Sequence, residues 1–219
     1  TALAAVQSNK VYLPRMRLRL ARVLAADKRY SFGVRVPPLE MPLLNKPVLN
    51  INEVELVPRP AEFAPDGPAA DVFGVSTAQI GRPLGAKKLG YNLSSVPPGK
   101  AAYPFHCHRE NEEMFLILKG SGEVRIGEAV FRIREGDIVA CPPGGPETAH
   151  QIKNTGSVEL RYLAVSTRLG PEICEYPDSG KFGVYAELAP EKDGKPSYFY
   201  FMGRQDMVLD YWAGEGGNP

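Results

Sequence analysis

Two histidines one residue apart, beside a pair of acids, form the most chemically suggestive stretch of this 219-residue sequence. They are His106 and His108 in FHCHRENEEMFLILKG. Residues two apart on a β-strand point to the same face, so the two imidazoles would converge while Cys107 points away. Glu112 and Glu113 come at the start of an apolar run, which predicts a central strand covered on both faces. One of these two acids must lie at the open end of the barrel where this strand begins, called the mouth below.

A carboxylate buried at that mouth needs a compensating charge, which a metal ion beside neutral imidazoles would supply. Imidazole and carboxylate donors suit Fe, Mn, Ni, Cu or Zn better than Ca or Mg. His150, the last of only three histidines, begins a short run after a glycine-proline loop in the same part of the chain. The sequence therefore predicts a site for one divalent transition metal. The alternative is that these residues are satisfied polar core groups in a metal-free protein.

Short strands separated by turn signals must position these side chains. The turn signals are PPGK, KGSGE, IGEA, REGD, PPGGPE and NTGS, and IGEA predicts a tight hairpin in which Gly127 takes a positive φ. The predicted strands are 91–96, 113–119, 123–126, 130–133, 137–141, 149–153 and 160–166. Short, regularly spaced strands without a helical pattern between them favour an all-β sandwich or barrel.

The chain on either side of this β segment has a different character. We predict three parts: an N-terminal extension and arm over 1–88, the barrel core over 89–170, and a C-terminal extension over 171–219. Residues 1–30 are strongly basic, which fits either a targeting segment or a surface extension. Proline-rich residues 31–88 hold one plausible strand at 48–57. The aromatic C-terminal extension should bury against the barrel or a second subunit, which favours a homodimer.

Composition excludes some classes of partner. The net charge of +1 gives no sign of a nucleic-acid partner, and no apolar run approaches the length of a membrane span. Three cysteines form no disulfide framework, which fits free thiols in the cytoplasm. We therefore expect a small-molecule ligand or substrate, no nucleic acid and no membrane.

The two parts of the β segment that carry the histidines resemble the two motifs of the cupin family. The first resembles the pattern in which two histidines flank one residue, a glutamate follows, and a glycine comes six residues later, here Gly120. That spacing selects Glu113 over Glu112. The second runs from Gly136 through the proline-glycine turn to His150 and Asn154. The stretches CPPGGPETAHQIKNTG and EYPDSGKFG are also similar to small bacterial single-domain cupins of undefined activity.

The resemblance implies a double-stranded β-helix, or jelly roll, with a metal near one open end. By the family pattern, His106, His108, Glu113 and His150 would hold it, leaving open positions for a substrate oxygen, water or dioxygen. The loop before His150 is longer than the family's usual turn, and Glu147 within it is a candidate general base. A solvated loop acid is the alternative for Glu147. Arg125, Arg132, Arg134 and Arg161 are candidates for binding a carboxylate substrate if they point inward.

Three functions are compatible with these residues. The first is a metal-dependent enzyme of dioxygenase, isomerase or lyase type, using Fe, Mn, Ni or Zn. The second is a non-catalytic small-molecule binding or sensing protein, whose metal only orients a ligand. The third is a metal-free sugar-binding barrel. Open coordination together with a nearby proton-transfer group would separate the first from the second.

Overall fold

The computed structural model describes residues 47–61, 63–191 and 197–216. The basic segment 1–30 and residues 31–46 of the proline-rich arm lie outside the described residues. Within the described ranges the regular secondary structure is mostly β-strand, with one five-residue α-helix, α1 (Pro68–Val72), before the main sheets. The prediction of an all-β fold is confirmed.

The strands follow the turn pattern of the sequence. In chain order they are β1 (Val57–Pro58), β2 (Ser76–Gln79), β3 (Leu89–Val96), β4 (Cys107–His108), β5 (Glu113–Lys119), β6 (Ser121–Ile126), β7 (Ala129–Arg134), β8 (Ile138–Cys141), β9 (His150–Lys153), β10 (Leu160–Thr167), β11 (Glu172–Tyr176), β12 (Lys181–Leu188) and β13 (Ser197–Arg204). All seven predicted strands of the barrel segment are present, with ends shifted by at most two residues.

These strands form three antiparallel sheets. The first has the order β1-β2-β3-β10-β5-β8, the second β13-β12-β11-β4, and the third β7-β6-β9. β5 lies between β10 and β8, so it is a central strand, as its apolar run predicts. The β6–β7 hairpin turns at Gly127 with φ 55°, as predicted.

The core lies between the first and third sheets. Phe115 and Ile117 of β5 pack in one cluster with Val124 of β6 and Ile152 of β9. Tyr162 of β10 is completely enclosed in this cluster and meets Phe115 edge to face, with ring centroids 5.5 Å apart. Burying each of these large side chains contributes about 1.5–3 kcal/mol to folding. The packing fixes the position of β5, whose first residue is Glu113.

One part of the chain differs from the sequence-based expectation. The strand predicted at 48–57 is wrong: only Val57–Pro58 is a strand, and residues 51–54 form turns. The apolar side chains there still pack, because Leu49 and Ile51 contact the cluster around Leu93 on the outer side of the first sheet. The C-terminal segment forms β11, β12 and β13, and through β11 it pairs with β4.

The predicted boundaries at residues 88 and 170 stay predictions. Among the described residues, no helix combines the length and apolarity needed to cross a bilayer.

Candidate metal centre

His106 and His150 are neighbours through their backbones. His106 N–H donates to the His150 carbonyl at 3.1 Å, and His150 N–H donates to the His106 carbonyl at 2.7 Å. Their ring centroids are 4.7 Å apart. His108 follows on the same face, with its ring centroid 5.1 Å from that of His106. Cys107 points the other way, into a separate cluster with Phe105, as the strand alternation predicts.

Glu113 brings a carboxylate to these three rings. As the first residue of β5 it lies where the central strand opens toward the histidines. Its Oε2 lies 3.0 Å from His150 Nε2, 3.4 Å from His108 Nε2 and 3.9 Å from His106 Nε2. Glu112, the neighbouring acid, is exposed, and its N–H donates to Thr167 Oγ1. The four side chains named from the sequence therefore come together, and their role as metal ligands stays a prediction.

The hydrogen bonds on the outer ring nitrogens favour a cation among these four groups. His106 Nδ1 lies 2.8 Å from the Pro104 carbonyl, which can only accept, so Nδ1 carries the proton and Nε2 has a free lone pair. His150 Nδ1 faces the Thr148 carbonyl at 3.4 Å in the same way. In a neutral ring with this tautomer, Nε2 is an acceptor facing a carboxylate oxygen, and it can donate a hydrogen bond to Glu113 only if the ring takes up a second proton. A metal ion removes that conflict, and ligands about 2.0–2.2 Å from one ion have the spacing seen here.

The protonation equilibria reflect this crowding. For Glu113, burial raises the pKa, but hydrogen bonds from His108 and His150 and the charges of His108 and His106 outweigh it and hold the pKa well below its usual range. For His106, burial is the main cause that lowers the pKa to about 4, and the neighbouring His150 adds to it. For His108, burial lowers the pKa, but Glu113 and Glu172 outweigh it and leave the pKa raised.

A cavity of about 180 Å³ opens beside these groups. Its lining combines hydroxyls, amides and apolar groups with the four candidate ligands: Asn92, Ser94, Ala102, Tyr103, His106, His108, Glu113, Phe115, His150, Gln151, Ile152, Tyr162 and Ala164. Burial raises the pKa of both Tyr103 and Tyr162, so their hydroxyls keep their protons.

Strand β11 lies against His106 and His108, a neighbourhood that sequence reasoning missed. Glu172, Cys174 and Tyr176 alternate along it, and Cys174 is the register partner of His108 on β4. The Tyr176 ring stacks on His106, with centroids 6.0 Å apart and planes 22° apart. Burial raises the pKa of the Cys174 thiol to about 12. The signal in the sequence was the alternation of E, C and Y in EICEY, but pairing with β4 is not written in that local pattern.

Glu172 holds the turn between His108 and Glu113. Its carboxylate accepts the backbone N–H groups of Arg109 at 3.0 Å and Asn111 at 2.9 Å. Its Oε2 is also 4.0 Å from His108 Nδ1, a buried atom with no hydrogen-bond partner. A buried carboxylate that accepts several N–H groups is a rigid support for the residues at both ends of the turn.

Glu147 lies in the short 3₁₀ turn Pro146–Thr148 and does not belong to the described lining of the cavity. Its carboxylate accepts the Gly145 N–H at 2.8 Å, and hydrogen bonds to the backbone lower its pKa. The geometry thus shows a loop-supporting carboxylate, and its role as a general base stays a prediction.

None of the four arginines considered for substrate binding is among the described residues that line the cavity. Arg125 pairs with Asp178 and covers the Phe105 ring, and Arg161 pairs with Glu159. Arg132 and Arg134 are exposed on β7.

Comparison with known proteins agrees with this geometry. Residues 92–166 match the family profile described as Cupin domain, which covers β3 to β10 and all four candidate ligands. An uncharacterized protein of Methanocaldococcus jannaschii is 35% identical over 71 residues, 32% of this chain and 54% of the relative. Auxin-binding protein 1 of Arabidopsis thaliana is 32% identical over 103 residues, 43% of this chain and 50% of that protein. The chain thus spans about half the length of these curated relatives.

Solved structures share the fold. A protein described as a sugar phosphate isomerase from a cupin superfamily, from Silicibacter pomeroyi, aligns with TM-score 0.59 and 23% identity, covering 75% of this chain and 98% of that chain. A putative sugar phosphate isomerase from Acidithiobacillus ferrooxidans aligns with TM-score 0.52 and 23% identity, covering 63% of this chain and 80% of the other. At this level of identity the likeness shows a jelly roll.

Proposed function

Because this chain belongs to the cupin superfamily, we propose that it binds one divalent transition metal through His106, His108, Glu113 and His150 and is a metal-dependent enzyme acting on a small molecule. The observation that carries the proposal is the convergence of three imidazole Nε2 atoms on Glu113 Oε2, at 3.0, 3.4 and 3.9 Å, beside a cavity. All four groups have the chemistry of borderline metal donors.

The chain's own residues would prepare this site in three ways. The Pro104 carbonyl fixes the His106 ring with Nε2 toward the cavity. The enclosed Phe115 ring, 5.6 Å from that of His150, excludes water from one side. The hydroxyls of Tyr103 and Tyr162 keep their protons, so they can donate hydrogen bonds to a substrate oxygen. A bound ion would supply Lewis acidity, or a site for dioxygen if it is iron.

The cavity favours a small substrate without a phosphate group. Its volume of about 180 Å³ is below the roughly 300–1,000 Å³ of sites for drug-sized ligands. Among the described residues, no Lys or Arg belongs to its lining, whereas phosphate sites generally use such groups. Arg59 lies beside the lining, with its guanidinium carbon 4.8 Å from the centre of the Tyr103 ring, and its charge acts on the pKa of Tyr103 against the larger effect of burial. A neutral molecule or a small carboxylate therefore suits the cavity better than a sugar phosphate.

The reaction class depends on the ion. Iron would support dioxygenase chemistry, whereas Mn, Ni or Zn would support isomerase or lyase chemistry on a carbonyl. Isomerisation and elimination also need a group that accepts a proton. The described lining offers no carboxylate besides Glu113, so a base would come from the bound molecule, from water or from the Glu147 loop.

Elemental analysis of the purified full chain tests the metal-binding part of this proposal. We expect about one transition-metal ion per chain, lost in His108→Ala and in Glu113→Gln with an unchanged far-ultraviolet circular dichroism spectrum. Glu112→Gln is the matched control, because that neighbouring acid is exposed and should leave the metal content unchanged. Stoichiometric metal in the His108→Ala protein, or none in the wild type, would overturn the assignment.

The metal found then decides the activity screen. Iron calls for measurement of oxygen consumption with small oxygenated compounds, and Mn, Ni or Zn for isomerase and lyase assays. Turnover that disappears in Glu113→Gln and persists in Glu112→Gln would support an enzyme.

A non-catalytic binding function is the second candidate. It is favoured by the described lining, in which Glu113 is the only carboxylate and is already committed to three imidazoles. The curated relative named Auxin-binding protein 1 is, by that name, a binding protein. A metal-dependent change in melting temperature with a small ligand, without turnover of that ligand, would favour this alternative.

We also propose that the protein forms a homodimer in the cytoplasm. Val208, Tyr211 and Trp212 in the C-terminal segment are 84%, 82% and 70% exposed. Apolar groups clustered at such exposure commonly mark an interface. The three cysteines are free, as expected in a reducing compartment.

A further inference from the structure

Cys174 differs from the other two cysteines in its surroundings. Cys107 and Cys141 are almost fully buried in hydrophobic clusters, where each packs like a small apolar side chain. Cys174 is half-buried and belongs to none of the described hydrophobic clusters. Packing in the core therefore explains the presence of Cys107 and Cys141 but not that of Cys174.

The register of β11 on β4 brings the Cys174 thiol to the histidines. Cys174 and His108 are direct partners in this antiparallel pair, so their side chains leave the sheet on the same face. Ile173, one residue earlier, points to the opposite face and is exposed. His106 lies two residues before His108, so it also shares the face of the thiol.

The distances among these groups have the scale of a coordination sphere. The Cys174 sulfur and one ring nitrogen each of His106 and His108 lie within 4.8 Å of one another. One ligand atom from each of His106, Glu113 and His150 likewise lies within 4.8 Å of the other two. The two groups share His106. Donors about 2.0–2.3 Å from a common ion lie within this distance of each other.

Tyr176 also supports the position of the sulfur. Its side chain lies close enough to that of Cys174 to act against the effect of burial on the pKa of the thiol, and its ring stacks on the His106 ring. Tyr176 thus links the thiol and the first histidine from the same strand face. A thiol oriented beside two imidazoles has the arrangement of a ligand.

We propose that Cys174 is a further ligand of the ion held by His106 and His108, an inference that rests on the proposed metal site. Binding an ion through sulfur would require the Cys174 thiol to release its proton to solvent, one proton for each ion bound in this way. A thiolate is a soft donor, which favours Zn and Co over Mn at a site otherwise built from imidazole and carboxylate. Cys174 would therefore narrow the choice of metal.

Cobalt substitution tests this ligand directly. The full chain is stripped with a chelator, loaded with Co²⁺, and compared with Cys174→Ser and with the control Cys107→Ser, whose sulfur lies on the opposite face of β4. We expect visible cobalt d–d bands in all three proteins. We also expect a near-ultraviolet sulfur-to-cobalt charge-transfer band in the wild type and in Cys107→Ser that is absent in Cys174→Ser.

The spectra separate failure of this inference from failure of the metal site. Wild-type d–d bands without a charge-transfer band, or a charge-transfer band that persists in Cys174→Ser, would overturn the thiolate ligand and leave the four-residue site intact. Absence of cobalt bands in the wild type would overturn both. A far-ultraviolet circular dichroism spectrum checks that each variant is folded.

Metal competition provides a second measurement. With Zn²⁺ and Mn²⁺ present together, the preference of the wild type for zinc should fall on the order of tenfold or more in Cys174→Ser and stay unchanged in Cys107→Ser. An unchanged preference in Cys174→Ser would contradict the proposal.

Discussion

Glu172 and Asn111, which are 61 residues apart in the chain, are joined by two hydrogen bonds. The backbone N–H of Asn111 donates to Glu172 Oε2 at 2.9 Å, and the Asn111 side-chain amide donates to the same oxygen. This contact fixes the turn that connects the strand of His108 to the strand of Glu113. A residue outside the matched family segment thus sets the spacing between two candidate metal ligands.

Glu172→Gln should weaken both the fold and the metal site. The amide retains one acceptor oxygen but loses the charge that strengthens the hydrogen bonds to the turn, so we expect a loss of about 1–3 kcal/mol in the free energy of unfolding. Metal affinity should fall about tenfold or more, as for other groups that support ligands. Urea unfolding and a competitive metal titration measure the two effects.

Glu175→Gln is the control for this change. Glu175 lies on the same strand and pairs with Arg109 at 2.6 Å on the outer side. Surface pairs of this kind contribute about 0–1 kcal/mol, so metal affinity should stay as in the wild type. Equal effects of the two substitutions on metal affinity would contradict the supporting role of Glu172.

Gly120→Ala tests why the first motif ends in glycine. Gly120 has φ 81°, and a Cβ there would lie 2.6 Å from the Glu159 carbonyl oxygen. The left-handed conformation costs about 1–2 kcal/mol for alanine, and the backbone collision adds about 1–3 kcal/mol. Urea unfolding should therefore show a loss of several kcal/mol.

Gly85→Ala separates the two causes. Gly85 has φ 83°, but a Cβ there meets nothing within 4 Å. Its substitution should cost only the conformational part, about 1–2 kcal/mol. If the two variants lose the same stability, the close approach at Gly120 is not important.

Asn154→Ala should destabilise the barrel without touching the candidate ligands. The fully buried Asn154 amide donates to the carbonyls of Val96 and Val158, both at 2.8 Å, and its oxygen accepts the Gly156 N–H at 2.9 Å. Removing it leaves buried groups unpaired, and we expect a loss of about 3 kcal/mol by urea unfolding. In the exposed control, Asn50→Ala, one local hydrogen bond is lost and the change should stay within about 0.5–1 kcal/mol.

The metal-free protein should become less stable as the pH falls from 6.5 toward 4. The folded His106 has a pKa of about 4, because burial disfavours the charged ring. An unfolded histidine takes up a proton below about 6.5. Protons therefore bind the unfolded chain more strongly than the folded chain between pH 6.5 and 4. His106 should account for a loss on the order of 2 kcal/mol in the free energy of unfolding over this range. Urea unfolding of chelator-treated protein at several pH values measures this slope, which should be shallower in His106→Asn.

His108→Asn provides a control of opposite sign. The pKa of His108 is raised in the folded protein, so its contribution to stability is present below about 6.5 and is lost as the pH rises through the folded pKa. Its removal should abolish a loss of stability as the pH rises above about 6.5 and should leave the slope between 6.5 and 4 as in the wild type. A shallower slope in His108→Asn would contradict these assignments.

The proposed homodimer predicts a mass of two chains in sedimentation velocity. Replacing the exposed aromatic pair, as Tyr211→Ser with Trp212→Ser, should shift the protein toward the monomer, because the proposed contact loses its apolar surface. Val130→Ser removes an exposed apolar group on β7 and should leave the mass unchanged. A wild-type monomer at micromolar concentration would disprove the dimer.

The sequence predicted the central part of the site because its information is local. Four donors are spaced along short strands, and alternation within FHCHRENEEMFLILKG places Cys107 away from His106 and His108. The structure also gives physical reasons for two motif residues that bind nothing: Gly120 approaches a neighbouring backbone, and Asn154 satisfies buried carbonyls. Backbone geometry and hydrogen bonding explain such positions.

The remainder of the site depends on pairing between distant segments. Nothing local in EICEYP shows that Cys174 lies opposite His108, because that register is set when β11 adds to β4. The wrong prediction of a strand at 48–57 has the opposite cause, because there a local pattern is present but does not decide the conformation. Its apolar residues alternate as in a strand, but Leu49 and Ile51 pack on the first sheet from a turn.

The attachment of β11 to β4 changes what must be cloned to study this protein. A fragment cut to the matched residues 92–166 would keep every predicted donor in its sequence. It would lack the Glu172 carboxylate, which holds the turn between His108 and Glu113, and the Cys174 thiol, which lies opposite His108. Inactivity of such a minimal piece would therefore say nothing about the intact chain, and a fragment that keeps these contacts extends at least through Tyr176.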